Sequence, residues 1–339
     1  MKRLALALAA CAFAGAAALA QPASDAGSAK TELGSAKTEL GWPARPIRLI
    51  VPFPPAATAD VVARVLGQKL GQRLGQQFVV DNRAGASGNI GAELIAKAAP
   101  DGYTVGIVTA STQAVAATLS ASLPYDPIRD FTPIVMLASS PYALEVYPGL
   151  LANSVAELIA LARRKPGALN YGSAGPASLA HLAGALFATM TNTQLIHVPY
   201  KSTAQSVIDM MSGRLEMQFA TIPPSIQTIR AGQLRALAVT GKQRVDALPD
   251  VPTMAEAGVP GYDATLWFGL VAPAKFSPNL AGRLNREIAE ILAAADMKDL
   301  LSQQGLVAEA GPPEALTERV RSDIGKWREV IAKAGITAE

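Results

Sequence analysis

From about residue 46 onward, short apolar runs alternate with stretches in which apolar side chains recur every three or four residues. The first run, IRLIVPF at 47–53, is typical of a buried strand, and two prolines end it. The next stretch, 58–74, has the spacing of an amphipathic helix and carries Asp60 in its first turn. The buried face predicted for this helix consists of Val61, Val65, Leu70 and Leu74.

The same alternation continues to the end of the chain. It predicts strands at 78–80, 104–108, 169–172, 195–198, 215–219 and 234–239. It predicts helices at about 89–99, 155–164, 176–190, 203–211 and 225–230, and a mainly helical tail from 279 to about 333. Strand–helix–strand repeats are typical of a parallel sheet with helices on both faces, so we predict two α/β lobes with a ligand cleft between them.

The first forty residues have a different pattern. A basic start, an apolar run at 4–19 and the sequence Ala-Leu-Ala at 18–20 predict a signal peptide that is cleaved after Ala20, with export to the periplasm. The alternative is a membrane anchor, for which the apolar run is short. Cys11 ends a lipoprotein-like LAAC sequence, which we interpret as coincidental. Residues 21–41, with GSAKTEL repeated in tandem, are typical of a flexible linker.

Composition narrows the possible functions. The 339 residues carry a formal charge of +3 without a basic cluster, which argues against nucleic-acid binding. Cys11 is the only cysteine and lies in the predicted signal peptide, so the mature chain has no disulfide and no thiol nucleophile. We expect no cofactor and no metal.

An enzyme would need a nucleophile, an acid–base pair or a metal cluster. The two histidines, His181 and His197, stand sixteen residues apart without metal-ligand spacing, so we expect them to pack or to form hydrogen bonds. Ser173 lies in a Gly-Ser-Ala-Gly turn that lacks the G-x-S-x-G context of a hydrolase nucleophile. The sequence therefore argues against an enzyme.

Two loops join a strand to a helix N-terminus, at 53–60 and at 171–176, where Pro176 suits the first helical position. Unpaired N–H groups at such helix ends attract carboxylates or phosphates, although ordinary turns of this fold have the same form. Polar loops at 82–89 and 109–112 add further donors. Asp60 is expected to cap its helix, and Arg83 either binds a carboxylate or lies on the surface.

Several collinear segments resemble one family of receptors. They are PARPIRLIVPF (43–53), VDNR (80–83), ASGNIG (86–91), PDGYT (100–104), HVPYK (197–201), LPDVPT (248–253), EAG (256–258) and WFGLVAP (267–273). By these motifs the chain resembles the substrate-binding proteins of tripartite tricarboxylate transporters, the Bug-type extracytoplasmic solute receptors.

The resemblance implies a periplasmic-binding-protein-like α/β fold that closes on a small carboxylate and delivers it to the membrane permease subunits of the transporter. Lobe 1 would consist of 42–141 and 265–339, and lobe 2 of 142–264, with crossing strands near 131–142 and 264–272. We expect a monomer. A ligand sensor that signals to a membrane kinase or another partner is the alternative function.

The expected ligand contacts combine the polar loops with the resemblance. In lobe 1 they are Pro55, Ala56, Ala57, Asp60, Ala86, Ser87, Gly88, Thr109, Ser111 and Thr112, and in lobe 2 they are Ser173, Ala177, Ser178 and Tyr200.

The chain departs from the family pattern at positions that face the ligand. Ala56 and Ala57 replace a Gly-Gly pair, and alanine costs about 1 kcal/mol or more wherever a positive φ is required. Further departures are Pro176, Ala177, Ser202 and Ala220. We expect these changes to shift or weaken ligand specificity without altering the fold.

Overall fold

The computed structural model describes residues 41–120, 122–173, 175–176, 178–200, 203–303 and 305–337, without the side chains of 203, 204, 223 and 224. The predicted signal peptide, the predicted linker up to residue 40, Ala177 and Ser202 lie outside these residues. The unit described below begins at Trp42.

Strands and helices alternate over most of this unit. The strands are β1 (Ile47–Val51), β2 (Phe78–Asn82), β3 (Thr104–Thr109), β4 (Phe131–Val146), β5 (Leu169–Ser173), β6 (Leu195–Pro199), β7 (Met217–Thr221), β8 (Arg235–Val239), β9 (Thr265–Pro273) and β10 (Val307–Ala308). The helices are α1 (Thr58–Leu74), α2 (Asn89–Ala96), α3 (Ala116–Leu119), α4 (Val155–Arg164), α5 (Leu179–Thr191), α6 (Thr203–Met211), α7 (Ile222–Arg230), α8 (Pro278–Ala293), α9 (Ala295–Gln303) and α10 (Pro313–Ala334). The prediction of an α/β fold is confirmed.

The strands hydrogen-bond in the order β2-β1-β3-β9-β4-β7-β5-β6, with β8 and β10 also paired to β4. The prediction of a parallel sheet is only partly right. β1, β2 and β3 are parallel to one another, as are β5, β6 and β7, but every contact of β4 and β9 is antiparallel. The sheet is mixed because β4 carries the chain out of the first group of strands and β9 brings it back.

β4 is the longest strand and belongs to both groups. Its first part pairs with β9, as far as Pro141 opposite Thr265. From Tyr142 onward it pairs instead with β7 and β8, and Tyr142 lies opposite Thr221. The change of partner falls at residues 141–142. The division of the chain into two lobes stays a prediction.

The observed bounds of α1 match the predicted ones, and Gly75 ends the helix at φ 73°. The predicted buried face of α1 was partly wrong. Val61 and Val65 are only half-buried, because the helix presents a neighbouring stripe to the sheet. The buried residues of this stripe are Ala59, Asp60, Val62, Ala63, Leu66, Gly67, Leu70 and Leu74.

The C-terminal helix α10 packs against β4, against α5 and against the turn at Ser111–Val115 that follows β3, so it contacts elements of both groups. Its Asp323 is 2% exposed and accepts a hydrogen bond from Trp267 Nε1 of β9 at 2.7 Å. Arg319 and Lys326 form ion pairs with the same carboxylate at 3.2 and 3.0 Å. Through these contacts Asp323 attaches α10 to β9, the strand that brings the chain back to the first group. None of the helices in the described ranges combines the length and apolar composition needed to cross a membrane.

Candidate functional site

The loop between β1 and α1 is anchored by Asp60, which is 2% exposed. One carboxylate oxygen accepts the Ala56 N–H at 2.9 Å and the Arg64 Nε–H at 2.9 Å, and the other accepts the Asn82 amide at 2.9 Å. Burial by itself raises the pKa of Asp60, but these hydrogen bonds outweigh it and hold the pKa below its usual value. Asp60 therefore orients the loop, with both oxygens hydrogen-bonded inside the chain.

The two alanines of this loop have different backbone conformations. Ala56 has φ 65°, in the left-handed region that favours glycine, whereas Ala57 has φ −67° and ψ 157°, which any residue adopts. Pro55 and Ala56 are exposed and Ala57 is half-buried. The structural need for glycine therefore applies to the first alanine and not to the second.

The loop after β2 forms a tight left-handed turn. Ala86 has φ 46° and Ser87 has φ 55°, between Gly85 at 133° and Gly88 at 98°. The Gly88 N–H donates to the Gly85 carbonyl at 2.9 Å and closes the turn. Two non-glycine residues in this conformation cost about 1–2 kcal/mol each, and such strain concentrates at functional sites.

The end of β3 runs into a π-helical turn, Ser111–Val115, that the sequence pattern did not predict. Thr112 Oγ1 accepts the Thr109 N–H at 3.0 Å and fixes the start of this turn. Thr109 Oγ1 and Gln113 Nε2 are buried without a hydrogen-bond partner among the described residues. Ser111 is half-buried. π-turns are frequent at functional sites.

These three loops meet at one edge of the sheet. A Cβ atom added to Gly88 would lie 2.8 Å from Thr112 Cγ2 and 3.4 Å from Phe53 Cζ, so the three loops are in direct contact. Asn82 also donates to the Phe53 carbonyl at 3.0 Å. The structure therefore brings the predicted lobe 1 residues together, as expected for the carboxyl ends of neighbouring parallel strands.

In the second group of strands, the loop after β5 is held by a network of short hydrogen bonds. Ser173 Oγ donates to the Gly175 carbonyl at 3.0 Å and accepts the Gly175 N–H at 3.2 Å. Ser178 caps α5 by accepting the His181 N–H at 3.2 Å, and its hydroxyl donates to the Gly175 carbonyl at 2.7 Å. The predicted start of this helix at Pro176 was wrong, because the serine cap places the first helical residue at 179.

The two histidines, distant in sequence, stack against each other. Their ring centroids are 3.8 Å apart with an angle of 7° between the planes. His197 Nε2 lies 2.6 Å from Ser173 Oγ. Burial lowers the pKa of both rings, and the neighbouring His181 lowers that of His197 further, to about 4. Sequence reasoning missed this pair, because His181 lies on α5 and His197 on β6, and the two rings meet only where the helix packs against the strand.

Tyr200 begins the loop after β6, and its backbone N–H donates to the Ser173 carbonyl at 2.9 Å. Its hydroxyl donates to Asp209 of α6 at 3.0 Å. Burial and this carboxylate raise the pKa of Tyr200 to about 12. Tyr200 is thus fixed beside Ser173, and a contact of either residue with a ligand stays a prediction. Ala220, at a position where the family pattern has a carboxylate, is 2% exposed within β7.

A series of hydrogen bonds between buried polar side chains links α6, β7 and β4. Ser206 Oγ donates to Gln218 Oε1 at 2.5 Å, and Gln218 Nε2 donates to Glu145 Oε2 at 2.6 Å. Glu145 is fully buried, and neither its second oxygen nor Ser225 Oγ has a hydrogen-bond partner in the described ranges. Burial raises the pKa of Glu145 to about 7, against the opposing effect of the hydrogen bonds. A carboxylate in the apolar run ALEV of β4 was the available signal, and sequence reasoning did not use it.

Charged side chains contribute little to the predicted contacts. Arg83 forms an exposed ion pair with Asp81 at 2.8 Å, which favours the surface interpretation. Within the described parts of the chain, no three His, Cys, Asp or Glu side chains are grouped to hold a metal ion. What the loops present is backbone N–H groups and hydroxyls. That both groups of loops surround a single ligand stays a prediction.

Comparison with known proteins gives a consistent match. The family model described as "Tripartite tricarboxylate transporter family receptor" matches residues 62–336. Protein BugT of Bordetella pertussis is 37% identical over 295 residues, covering 87% of this chain and 90% of BugT.

Two solved structures with a bound dicarboxylate are similar over nearly their whole length. R. palustris Rpa4515 with adipate is 38% identical with a TM-score of 0.78, covering 87% of this chain and 99% of that protein. MatC from Rhodopseudomonas palustris with bound malate is 27% identical with a TM-score of 0.74, covering 86% of this chain and 100% of MatC.

Proposed function

Since the chain belongs to the tripartite tricarboxylate transporter receptor family, we propose that it is an extracytoplasmic receptor that binds a small dicarboxylate and delivers it to a membrane permease. The solved relatives share its α/β fold, which confirms the predicted periplasmic-binding-protein-like class. The observation that carries the ligand class is the similarity over 87% of the chain to Rpa4515, whose structure contains adipate.

The local geometry supports an anionic ligand that is bound without an arginine clamp. The N-terminus of α5 lies beside Ser173 and Ser178, and the exposed turn at Ala86 and Ser87 lies at the end of the first group of strands. Helix N-termini and backbone N–H groups stabilise carboxylates. Because both oxygens of Asp60 are already hydrogen-bonded, its role is to hold the loop rather than to repel the ligand.

The mechanism that we propose is closure of two lobes around the ligand. Lobe 1 consists of 42–141 and 265–339, lobe 2 of 142–264, and the connections run through β4 and β9. A dicarboxylate that contacts both lobes shifts the open–closed equilibrium by its higher affinity for the closed form. The protein is exported by a signal peptide cleaved after Ala20, and the closed form is the one that the permease recognises.

A ligand screen of the mature chain, starting at Gln21, tests this function. The panel contains mono-, di- and tricarboxylates, amino acids and aromatic acids, with thermal shift as the first readout and calorimetry as the second. A ligand at 100 times its Kd stabilises the folded state by about 2.7 kcal/mol, so a true ligand gives a clear shift. We expect shifts with dicarboxylates of one carboxylate spacing. A folded protein that responds to no carboxylate would contradict the proposal.

A further inference from the structure

We propose that His197 is a positioning residue for the loop between β5 and α5, and that carboxylate binding at this loop is linked to proton uptake by the stacked pair His181–His197. This inference rests on the proposed function and specifies how the site responds to pH. It concerns side chains that the binding mechanism above does not use.

The first argument is a count of hydrogen bonds at Ser173. A serine hydroxyl donates one hydrogen bond and accepts up to two. Ser173 Oγ donates to the Gly175 carbonyl and accepts the Gly175 N–H, so its third contact, at 2.6 Å to His197 Nε2, must be an accepted bond. His197 therefore carries a proton on Nε2 and donates it to Ser173.

This hydrogen bond acts on the whole loop. Ser173 Oγ hydrogen-bonds to both the N–H and the carbonyl of Gly175. The Gly175 carbonyl also accepts a hydrogen bond from the hydroxyl of Ser178, which caps α5. Tyr200 is attached to the same point through the Ser173 carbonyl. The orientation of one imidazole ring thus fixes Gly175 and the N-terminal end of α5, where we place a carboxylate of the ligand.

The second argument is the stacking of the rings. Two imidazolium ions with centroids 3.8 Å apart repel each other, so the pair holds one proton in excess of neutrality at most. Among the described residues that line the same cavity as the two rings, the other titratable groups are Tyr171 of β5, with its ring 5.2 Å from His197, and Lys333 of α10. These two side chains and both histidines line a cavity of about 630 Å³, and Lys333 pairs with Glu329 at 2.6 Å.

The consequence is a linkage between ligand and proton. Burial and mutual proximity keep both rings neutral at pH 7 in the empty protein. A carboxylate at the adjacent loop favours the protonated ring, and it does so without breaking the Nε2–H bond to Ser173. Ligand affinity therefore increases as the pH falls, and proton uptake accompanies binding.

Because the chain contains only two histidines, nuclear magnetic resonance of their ring C–H groups reports both titrations directly. We would titrate the mature protein with and without saturating adipate, and assign the signals with H181Q and H197Q. The expected result is a rise of about one unit in the pKa of the pair on binding. This rise corresponds to about a tenfold lower Kd in the acidic limit.

Calorimetry with adipate between pH 4.5 and 8 provides the second readout. H197Q retains an amide N–H donor but does not titrate, so its pH profile should show only the ionisation of adipate, which is common to both proteins. H197A removes the donor, and we expect it to bind adipate more weakly than H197Q at pH 7, since only the glutamine restores the bond to Ser173.

Two outcomes distinguish a failure of this inference from a failure of the proposed function. If adipate binds but the histidine titration is the same with and without it, or if wild type and H197Q have coincident pH profiles, the inference is wrong and the proposed function stands. If the wild-type protein binds no carboxylate at any pH, the proposed function fails and the inference fails with it.

Discussion

At the scale of single residues, Ala56 is held in a conformation that its side chain disfavours. Its φ of 65° is imposed by the hydrogen bond from its N–H to Asp60 and by the short path between β1 and α1. A methyl group in the left-handed region costs about 1–2 kcal/mol. The chain therefore tolerates local strain in a loop that we place against the ligand.

Ala56→Gly should raise the free energy of unfolding by about 1 kcal/mol, because glycine removes the strain at this position. Ala57→Gly is the matched control. Its φ of −67° is unstrained, so glycine there relieves no strain. The flexibility that glycine adds to the unfolded chain opposes the preference for glycine over alanine at a helix N-cap, and we expect a net change in the free energy of unfolding of less than about 0.5 kcal/mol. Urea denaturation of both variants measures the difference. Equal effects of the two substitutions would contradict the backbone argument.

Glu145 is the second residue whose environment in the folded protein lowers the free energy of unfolding, here by burying a carboxylate. Burial raises its pKa from 4.5 to about 7, so the folded protein binds a proton that the unfolded chain releases above pH 4.5. The contribution of Glu145 to stability is therefore complete below pH 4.5 and is lost as the pH rises to about 7. Above that pH the folded state holds a buried charge.

Glu145→Gln removes this charge and retains an oxygen that accepts the Gln218 hydrogen bond. We expect the variant to be more stable than wild type by about 3 kcal/mol at pH 8, with the difference vanishing near pH 4.5. Urea denaturation from pH 4.5 to 8 tests this, and Glu318→Gln, at an exposed position of α10, is the control. A wild-type pH slope that persists in Glu145→Gln would show that another group is responsible.

At the scale of secondary-structure elements, the packing of α10 against β9 depends on one buried carboxylate, that of Asp323. Asp323 accepts the Trp267 indole N–H and pairs with Arg319 and Lys326, whose side chains are 25% and 26% exposed. Removing the carboxylate leaves two partly buried cations and an indole N–H without their acceptor. Such losses are far larger than those at exposed ion pairs.

Asp323→Ala should lower the free energy of unfolding by about 3 kcal/mol. Asp296→Asn breaks an ion pair with Lys69 in which the carboxylate is 69% exposed, and should lower the free energy of unfolding far less, because solvent screens this pair. Thermal and urea denaturation compare the two variants. If both lose the same small amount, the cluster at Asp323 does not fasten α10 to β9.

Three helices were predicted from sequence with their observed bounds, whereas α2, α5 and α7 each differ from the predicted bounds by three residues at one end. α1, α4 and α6 have the predicted bounds, because their limits are set by local signals such as Gly75 after α1 and the serine cap of α4. β4 was the hardest element, because a strand was expected only near 131–142, whereas the observed strand continues through Ser139, Ser140 and Pro141 to Val146. The π-turn after β3 has no pattern that distinguishes it from an ordinary helix start.

For the candidate site, the positions of the loops could be predicted from the sequence, but the contacts between them could not. The loops follow from the strand ends, so Thr112 and Ser173 were placed from sequence alone. The contact of Ser173 with His197 depends on the register of β5 with β6, and the contact of Gly88 with Thr112 depends on β1 lying between β2 and β3. Such contacts are set by tertiary pairing, which residue spacing along the chain does not contain.

At the scale of the whole molecule, β4 and β9 are the covalent connections between the two groups of strands, and α10 adds a noncovalent one. α10 contacts β4 and α5, while Asp323 holds it to β9. Any change in the angle between the groups therefore requires α10 to move with one of them and to slide against the other. Packed helices slide in this way during shear motions of domains.

The position of β9 also has a consequence for how the molecule forms. β9 lies between β3 and β4, although it begins only at residue 265, long after β3 has ended at residue 109 and β4 at residue 146. Until residue 273 has been synthesised, the edges of β3 and β4 that pair with β9 lack this hydrogen-bonding partner. Pairing over such sequence separations is slow. The chain should thus acquire its native structure only after it is nearly complete, which would keep it unfolded during the export that we propose.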